Sequence, residues 1–278
     1  SSASARQKTF LITGATDGIG RFTAERVAAA GHRVLVHGRN AEKVAATVAA
    51  IETRGGTAEG FVADLASLAE VRTLGERVLA AHAALDGLLN NAGTFDGDYT
   101  GRRKVSADGH EYTLAVNVLA PFVLTAMLLD AVKAASGRVV ITSSISMGCG
   151  DALDDLQLEH RYSAHRAYSL SKLCDAMLIR ELDARYGDPP RLCFHTMDPG
   201  TVNTKMLRAG WGLGGIPVAS ATRSSELLLD AEYGATSGAV VGAWPDSEVD
   251  DRAKRKQLWD DLERLTGARY PPPTRSTA

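Results

Sequence analysis

The best candidates for proton chemistry in this chain are a tyrosine and a lysine four positions apart. They are Tyr168 and Lys172, in the stretch AYSLSKLC. On a helix such residues share one face, roughly 6 Å apart, so the ammonium would lower the pKa of a phenol that is otherwise near ~10. A phenol tuned in this way can act as an acid or a base. The spacing alone is a weak signal, because such pairs also occur by chance on solvated helix faces.

A glycine-rich turn between a predicted strand and a predicted helix is the second candidate. Its spacing is G-x-x-x-G-x-G rather than G-x-G-x-x-G. Glycines there let the backbone approach a pyrophosphate, whose charge is stabilised by the helix N-terminus. A purely structural turn remains the alternative. The residues of this turn that we expect to contact a nucleotide are Gly14, Thr16, Asp17, Gly18, Ile19 and Gly20.

The end of the second predicted strand indicates which nucleotide would bind. An NAD site usually offers an acid here to the ribose hydroxyls, but this chain has Gly38 followed by Arg39. The forked guanidinium of Arg39 suits a phosphate monoester, which favours NADP(H) over NAD(H). Arg39 could instead be a solvated loop charge. Asp17 would repel a 2′-phosphate, unless it caps the first helix.

Polar residues also follow the third and fourth predicted strands. Asp64 and Leu65 end the third, and Asn90, Asn91, Ala92 and Gly93 end the fourth. Open α/β sheets bind ligands at the carboxyl ends of their strands, so we expect both segments to border the same site. Asparagine and glycine are also common turn formers, and each segment alone would be unremarkable.

Composition limits the classes of protein that the chain could represent. It has 278 residues, 45% of them hydrophobic and 23% charged, with a formal net charge of -2. This balance gives no reason to expect a nucleic-acid partner. We find no uninterrupted apolar run long enough for a transmembrane segment and no signal-peptide pattern. Three widely spaced cysteines favour a reducing, cytoplasmic setting, and no metal-ligand spacing occurs, so we expect no metal.

The elements that must position these residues alternate between short β-branched runs and amphipathic helices. This pattern predicts a single-domain, Rossmann-like α/β fold over residues 1–278, with a doubly wound parallel sheet of about seven strands flanked by helices and loose termini at about 1–7 and 268–278. The predicted strands are 9–13, 33–37, 58–63, 85–89, 138–142, 192–197 and 239–242. The predicted helices are 20–30, 41–54, 67–82, 106–135, the one carrying Tyr168, 219–232 and 252–265.

Taken together, the motifs resemble the short-chain dehydrogenase/reductase family over about residues 8–245. The glycine-rich turn, Asp64, Asn90–Gly93, Asn117, Ser143-Ser144, the Tyr168/Lys172 pair and Pro199-Gly200 occur in the family's order and approximate spacing. Each motif is weak alone, but the joint pattern is highly specific. The stretch from Arg138 to Ser144, the long gap before Tyr168 and the DDL sequence within it resemble the retinol-dehydrogenase-like branch.

The resemblance implies a role for each matching residue. Ser144, rather than Ser143, would hydrogen-bond the substrate oxygen, and Tyr168 would exchange a proton with it. Lys172 would lower the tyrosine pKa and hold the nicotinamide ribose, while Asn117 would support a water that links Lys172 to solvent. Asp64 and Leu65 would face the adenine, and residues 91–93 the adenosine. The residues implied to hold the nicotinamide carboxamide and the phosphates are Pro199, Gly200, Val202 and Thr204.

Two segments depart from the common family pattern. Ser144 and Tyr168 are 24 positions apart, about ten more than in common-length members, and we expect residues 150–165 to form a flap or short helix at the active-site rim. The loop 206–218 contains Trp211, which would either cap the substrate or lie in the core. Family members often pair as homodimers or homotetramers through the helix that holds Tyr168, although the extra residues could interfere with such pairing.

The sequence therefore predicts an NADP(H)-dependent oxidoreductase that transfers a hydride between nicotinamide and a small-molecule carbonyl or alcohol. An apolar substrate is the leading expectation, and a polar or polyketide-like ketone is the alternative. A nucleotide-sensing regulator that has lost catalysis would be expected to lack serine, tyrosine or lysine at the key positions, and all three are present. The sequence identifies neither the substrate nor the direction of the reaction.

Overall fold

A seven-stranded, fully parallel sheet forms the centre of the protein. A computed structural model describes residues 5–96, 101–212 and 214–275. The spatial order of the strands is β3-β2-β1-β4-β5-β6-β7, so the chain runs outward from β1 on one side and then from β4 on the other. The predicted doubly wound parallel sheet is thus confirmed. The strands are β1 (Thr9–Ile12), β2 (Arg33–Gly38), β3 (Thr57–Val62), β4 (Gly87–Asn90), β5 (Arg138–Thr142), β6 (Cys193–Met197) and β7 (Ala239–Val241).

Helices cover both faces of this sheet. They are α1 (Gly18–Ala29), α2 (Ala41–Thr53), α3 (Leu68–Ala81), α4 (Tyr112–Ala134), α5 (Ala164–Tyr186), α6 (Lys205–Trp211), α7 (Arg223–Leu229), α8 (Ala231–Ala235) and α9 (Arg252–Thr266). Most begin at a polar side chain that accepts a bond from an otherwise unpaired amide of the first turn. These caps include Asp17, Asn40, Ser67, Ser163, Thr204 and Asp251.

The fourth helix begins six residues later than its apolar pattern predicts. Val105 pairs with Glu111 in an isolated antiparallel bridge, and the amide of Ser106 donates to the carbonyl of His110 at 2.7 Å. The carboxylate of Glu111 then accepts from the amides of Thr113 and Leu114 at 2.9 and 2.7 Å. This cap fixes the start of α4. The predicted helix 219–232 is likewise replaced by a short 3₁₀ turn followed by α7 and α8.

The sheet separates two hydrophobic cores. The larger one lies between the sheet and the face covered by α3, α4 and α5, and the smaller one lies under α1 and α7. By length and composition α4 could cross a membrane, but 83% of its most apolar window is buried within this fold. Its apolar character is therefore explained by its position in the core.

The segment after α9 corrects the expectation of a loose tail, as far as residue 275. The hydroxyl of Tyr270 donates to the carbonyl of Phe122 at 2.6 Å, and that of Tyr186 donates to the carbonyl of Pro271 at 2.7 Å. Trp259 of α9 packs against the rings of Phe122, Tyr186 and Tyr270. The tail is thus joined to α4 and α5, the two helices that carry candidate catalytic residues.

Candidate active site

A cavity of about 1030 Å³ opens at the carboxyl edge of the sheet. It collects the predicted site residues from turns that are far apart in the sequence. All of the predicted cofactor-binding residues line it, as do Ser144, Tyr168 and Lys172, whereas Asn117 lies beneath its wall. This edge is where open α/β sheets bind ligands, so the cavity is the candidate site.

The glycine-rich turn lies between β1 and α1, as predicted. Gly14 and Gly18 have positive φ angles of 61° and 52°, which glycine adopts without strain. A Cβ on Gly20 would overlap the Gly14 carbonyl and lie 2.6 Å from the Asn91 amide nitrogen. The turn therefore has to be free of side chains, and its geometry fits a pyrophosphate approaching the N-terminus of α1.

A buried histidine that the sequence analysis did not single out supports this turn from below. His37 accepts a bond from the amide of Gly14 at 3.1 Å through Nδ1, and its Nε2 lies 3.0 Å from the carbonyl of Ala63. Because a ring nitrogen that accepts carries no proton, this pairing requires the neutral imidazole. Burial, in turn, lowers the pKa of His37. The histidine thus joins the first three strands at the edge of the cavity.

The end of β2 presents positively charged side chains to the cavity. Gly38 is buried, and a Cβ there would lie 2.6 Å from Thr16 Cγ2, so a larger residue would force Thr16 to shift. The exposed side chains of Arg39 and Lys43 both border the cavity at this end. Arg39 is within 3.4 Å of the Tyr112 hydroxyl. Two cations and no acid next to Gly38 fit a ribose phosphate better than bare ribose hydroxyls.

Asp17 has two roles that reduce its repulsion of a phosphate. Its Oδ1 accepts from the amide of Gly18 at 2.9 Å, and its Oδ2 pairs with Lys205 at 2.9 Å. The bond from Lys205 lowers the pKa of Asp17, followed by the bond from Gly18. Asp17 therefore caps α1 and connects it to Lys205, the first residue of α6.

The segments expected to face the adenine and the adenosine come directly after β3 and β4 and form part of the cavity wall. Asp64 accepts from the amide of Ala66 at 3.0 Å, which leaves Leu65 buried at the cavity wall. After β4, Asn91 donates to the carbonyl of Thr13 at 3.2 Å, and the amide of Ala92 donates to the Thr13 hydroxyl at 3.0 Å. These contacts hold the ends of β1 and β4 together.

Tyr168 and Lys172 lie on the buried face of α5. The ammonium of Lys172 is 5.8 Å from the centre of the Tyr168 ring. Lys172 is 3% exposed and Tyr168 is 6% exposed. Lys172 donates to the carbonyl of Thr142 at 2.9 Å and to Asp175 Oδ2 at 3.4 Å. The lysine charge is thus held inside the protein, beside the Tyr168 ring.

The two serines after β5 differ in their availability. Ser143 is 1% exposed, and its hydroxyl donates to the carbonyl of Lys172 at 2.8 Å. Both serines border the cavity, but the Oγ of Ser144 accepts from the amide of Ser146 at 3.0 Å, which leaves its proton available for a ligand. This difference agrees with the choice of Ser144.

Asn117 lies in a π-helical turn, Ala115–Leu119, within α4. Such turns interrupt a regular helix and often occur at functional sites. Its Nδ2 donates to the carbonyl of Thr94 at 3.1 Å and to the Ser171 hydroxyl at 3.0 Å, while its Oδ1 accepts from the amide of Thr94 at 2.8 Å. Asn117 Oδ1 and Lys172 Nζ lie 3.5 and 3.6 Å from the point where a Cβ on Gly93 would be. Asn117 and Lys172 therefore both face Gly93.

An aromatic cluster surrounds the Tyr168 ring. Phe95 and Trp211 lie 5.9 and 5.3 Å from it, measured between ring centres, and 5.4 Å from each other. The imidazole of His165 packs on both rings, and its Nε2 lies 2.7 Å from the carbonyl of Gly210. Trp211 is half-buried, so it lies over the candidate site and not in the core. Neither Phe95 nor His165 belongs to a motif that sequence analysis could recognise.

The extra residues before Tyr168 reach the candidate site at His165 but do not form the expected rim along the rest of their length. Within the described residues, none from 150–165 lines the cavity. Gly150–Ala152 form one 3₁₀ turn, and Leu158 is buried in the larger core. The side chain of Gln157 accepts from the amide of Glu111 at 2.8 Å. Residues 150–158 therefore pack against the start of α4, away from the cavity, whereas His165 at the end of the segment belongs to the aromatic cluster at Tyr168.

Asp198 is a further residue that the sequence analysis missed. It is 5% exposed and directly precedes Pro199-Gly200, a placement at a strand end that could have indicated it. One carboxylate oxygen accepts from the amide of Ile145 and the other from that of Gly200, both at 2.6 Å. A single side chain thus joins the loop carrying Ser144 to the loop expected to hold the nicotinamide.

Comparisons with known proteins agree with this geometry. Residues 8–211 match the family model described as short chain dehydrogenase. A Streptomyces sp. (strain C5) protein named "Putative daunorubicin C-13 ketoreductase" is 36% identical, over 87% of this chain and 80% of its own length. Human retinol dehydrogenase 14 is 32% identical, over 94% and 86% respectively. A solved chain from Escherichia coli CFT073 in complex with NADPH aligns with a TM-score of 0.68 and 26% identity, covering 84% of this chain and 95% of that one.

The family match covers most of the chain, including every strand up to β6 and both candidate catalytic helices. The relatives bear dehydrogenase and ketoreductase names, and solved short chain dehydrogenases similar to this chain are complexed with NADP or NADPH, nicotinamide cofactors. The chain is an oxidoreductase that belongs to the short-chain dehydrogenase/reductase family, in its retinol-dehydrogenase-like branch.

Proposed function

We propose that the protein is an NADP(H)-dependent oxidoreductase that transfers a hydride between nicotinamide and a carbonyl or alcohol carbon. The observation that carries the proposal is the meeting of Tyr168, Lys172 and Ser144 at the wall of a cavity that also contains the glycine-rich turn. Bound there, the cofactor would supply or accept the hydride. The protein would bind both reactants and manage the proton and the charge on oxygen.

In the reductive direction, negative charge develops on the substrate oxygen as the carbon is reduced. The Ser144 hydroxyl would donate a hydrogen bond to that oxygen, and Tyr168 would deliver the proton. Lys172 lowers the cost of the phenolate that remains, because its ammonium is buried 5.8 Å from the ring. Asn117 would hold a water through which the proton is replaced from solvent. In the oxidative direction the phenolate would remove the alcohol proton.

Three features support a preference for NADP(H). The acid that an NAD site usually has would force Thr16 to shift if it replaced Gly38, and Arg39 and Lys43 supply positive charge beside it. Asp17, which could oppose a phosphate, is paired with Lys205. The Escherichia coli relative of known structure also binds NADPH.

An apolar substrate agrees best with the aromatic cluster. Trp211, which lines the cavity and packs on Phe95, would present its ring to a substrate whose oxygen lies at Tyr168. The retinol dehydrogenase relative is named for an apolar alcohol. A polyketide-like ketone remains the second candidate, since the Streptomyces relative is named for a ketone of daunorubicin.

The test is a panel of aldehydes and ketones, apolar and polar, assayed with NADPH and with NADH through the loss of reduced-nicotinamide absorbance. We expect turnover of apolar carbonyls with NADPH. The Tyr168→Phe variant should fold and should still be stabilised by NADPH, but it should have almost no turnover, because only the transferable proton is removed. Near-normal turnover in that variant would refute the proposed mechanism.

We further propose a cytoplasmic location, in keeping with three cysteines that are all free in the structure. Pairing through α5 as a homodimer or homotetramer stays a prediction. The ion pairs of Arg255 with Glu181 and of Arg180 with Asp250 join the outward side of α5 to α9 and the turn before it. A partner would therefore have to displace or bind over α9, and light scattering of the purified protein would measure the assembly directly.

A further inference from the structure

A buried carboxylate lies on the far side of the candidate catalytic lysine. Asp175 is one helical turn after Lys172 on α5 and is 1% exposed, with its Oδ2 3.4 Å from the ammonium. Its Oδ1 is also buried and has no hydrogen-bond partner among the described residues. Buried carboxylates that only support a fold normally have both oxygens bonded, so a half-satisfied one beside a catalytic group calls for a functional explanation.

The contacts of Lys172 show what this carboxylate does to the ammonium. An ammonium has three N–H donors. One is bound by the carbonyl of Thr142 at 2.9 Å and one by Asp175 at 3.4 Å. With two donors fixed on the protein side, the third is left for the cavity that Lys172 lines. Asp175 thus helps to set the rotation of the ammonium.

We propose that Asp175 is a positioning residue which orients Lys172 and offsets part of its charge, so that Tyr168 stays protonated to higher pH and carbonyl reduction is favoured over alcohol oxidation. This inference rests on the proposed function. It adds a residue outside the serine, tyrosine, lysine and asparagine set. Its physical basis is the sign of the charge: an anion near the pair disfavours the phenolate, whereas the lysine cation favours it.

The surroundings of Asp175 agree with such a role. Burial raises the pKa of this carboxyl to about 7, against the opposing effect of Lys172. Lys172 is the charged side chain that contacts Asp175 among the described residues. The neighbouring Cys174 is a buried thiol whose own pKa is raised, first by burial and then by Asp175. Around neutral pH Asp175 therefore gains or loses the negative charge that faces the Lys172 ammonium.

The test compares Asp175→Asn with a matched control, Asp183→Asn. Asparagine keeps the size of the side chain and an oxygen that can accept from Lys172, but it removes the charge. Asp183 lies on the same helix, more than two turns further from Lys172, and it too has a buried carboxylate oxygen without a partner in the described structure. Asp175→Ser serves as a second neutral variant in case the asparagine variant folds poorly.

We expect the alkaline limb of the pH profile for carbonyl reduction to move down by about one pH unit in Asp175→Asn, the size of one nearby charge at a moderately screened site. The KM for NADPH should change less than about threefold, because the amide still contacts the lysine. Asp183→Asn should leave the limb in place. A purely structural role would lower the melting temperature of Asp175→Asn without moving the limb, and that result would overturn the proposal.

A second readout separates this proposal from the proposed function. Alkaline titration of tyrosinate absorbance, taken as the difference between each protein and its Tyr168→Phe counterpart, reports the phenol without any turnover. A downward shift in Asp175→Asn supports the role of Asp175 even if the substrate panel finds no carbonyl that is reduced. An unmoved titration refutes that role even if the enzyme is fully active.

Discussion

Replacing Arg39 with alanine tests the coenzyme preference at one exposed side chain. In the structure Arg39 touches only the Tyr112 hydroxyl, at the long distance of 3.4 Å, among the contacts described for it. Its removal should therefore cost the fold less than about 0.5 kcal/mol. Any larger effect seen with NADPH would come from binding.

The size of that effect follows from the site. A charge-assisted hydrogen bond contributes about 1.5–3 kcal/mol, and the lower end applies here because Arg39 is exposed. Lys43 remains at the same end of the cavity and retains part of the attraction. A loss of about 1.5 kcal/mol is roughly tenfold in affinity. NADH has no 2′-phosphate, so its binding should not change.

The assay is kcat/KM for NADPH and for NADH with one carbonyl substrate, together with the rise in melting temperature that each cofactor causes. We expect the NADPH:NADH ratio to fall about tenfold in Arg39→Ala. The control is Arg54→Ala, since Arg54 is exposed just beyond the other end of α2 and is 3.9 Å from Glu25. An unchanged ratio in Arg39→Ala, or a wild-type preference for NADH, would refute the reasoning.

Three further outcomes can be checked. Ser144→Ala should lower kcat about 100-fold or more, because it removes a hydrogen-bond donor to the substrate oxygen. Ser143→Ala should mainly lower stability, by about 1–3 kcal/mol, because its buried hydroxyl bonds a helix carbonyl. Steady-state kinetics and melting curves distinguish the two variants, and equal losses of activity would contradict the choice of Ser144. Gly20→Ala should abolish the NADPH-induced rise in melting temperature, because its Cβ would overlap the Gly14 carbonyl; a retained rise would show that the turn does not hold the cofactor. Burial lowers the pKa of His37, so the free energy of unfolding should fall as the pH drops below about 6.5, the ordinary pKa of histidine, by up to about 1.4 kcal/mol per pH unit. Urea unfolding at several pH values should show a smaller dependence of this free energy on pH in His37→Gln.

Local sequence patterns predicted the sheet well. Strand β5 coincides with its predicted range 138–142, and the other strands agree within about two residues. Each of these strands is a short apolar run between turn formers, a signal carried by neighbouring residues alone. The start of α4 was wrong because the carboxylate of Glu111 ends the apolar pattern with a cap that depends on the bridge from Val105.

The candidate site was predictable only where residues belong to a recognisable motif. Asp175 and Asp198 are ordinary acids in the sequence, and their importance comes from contacts with Lys172 and with two separate loops. Phe95 and His165 are likewise brought together by the fold, 70 positions apart in the chain. Residues 150–165 could be recognised as additional, but the direction in which they pack depends on contacts with the segment around Glu111.

The close packing at Gly38 limits how the proposed preference for NADP(H) could evolve or be redesigned. The direct route to NADH use places an acid at this position, but its Cβ would lie 2.6 Å from Thr16 Cγ2 and 2.9 Å from Val44 Cγ2. A single substitution would therefore distort the strand end and the phosphate turn before any new contact formed. Thr16 and Val44 would have to shift or be replaced by smaller residues. A switch of coenzyme is thus expected only through combined changes, which one-step mutational searches would miss.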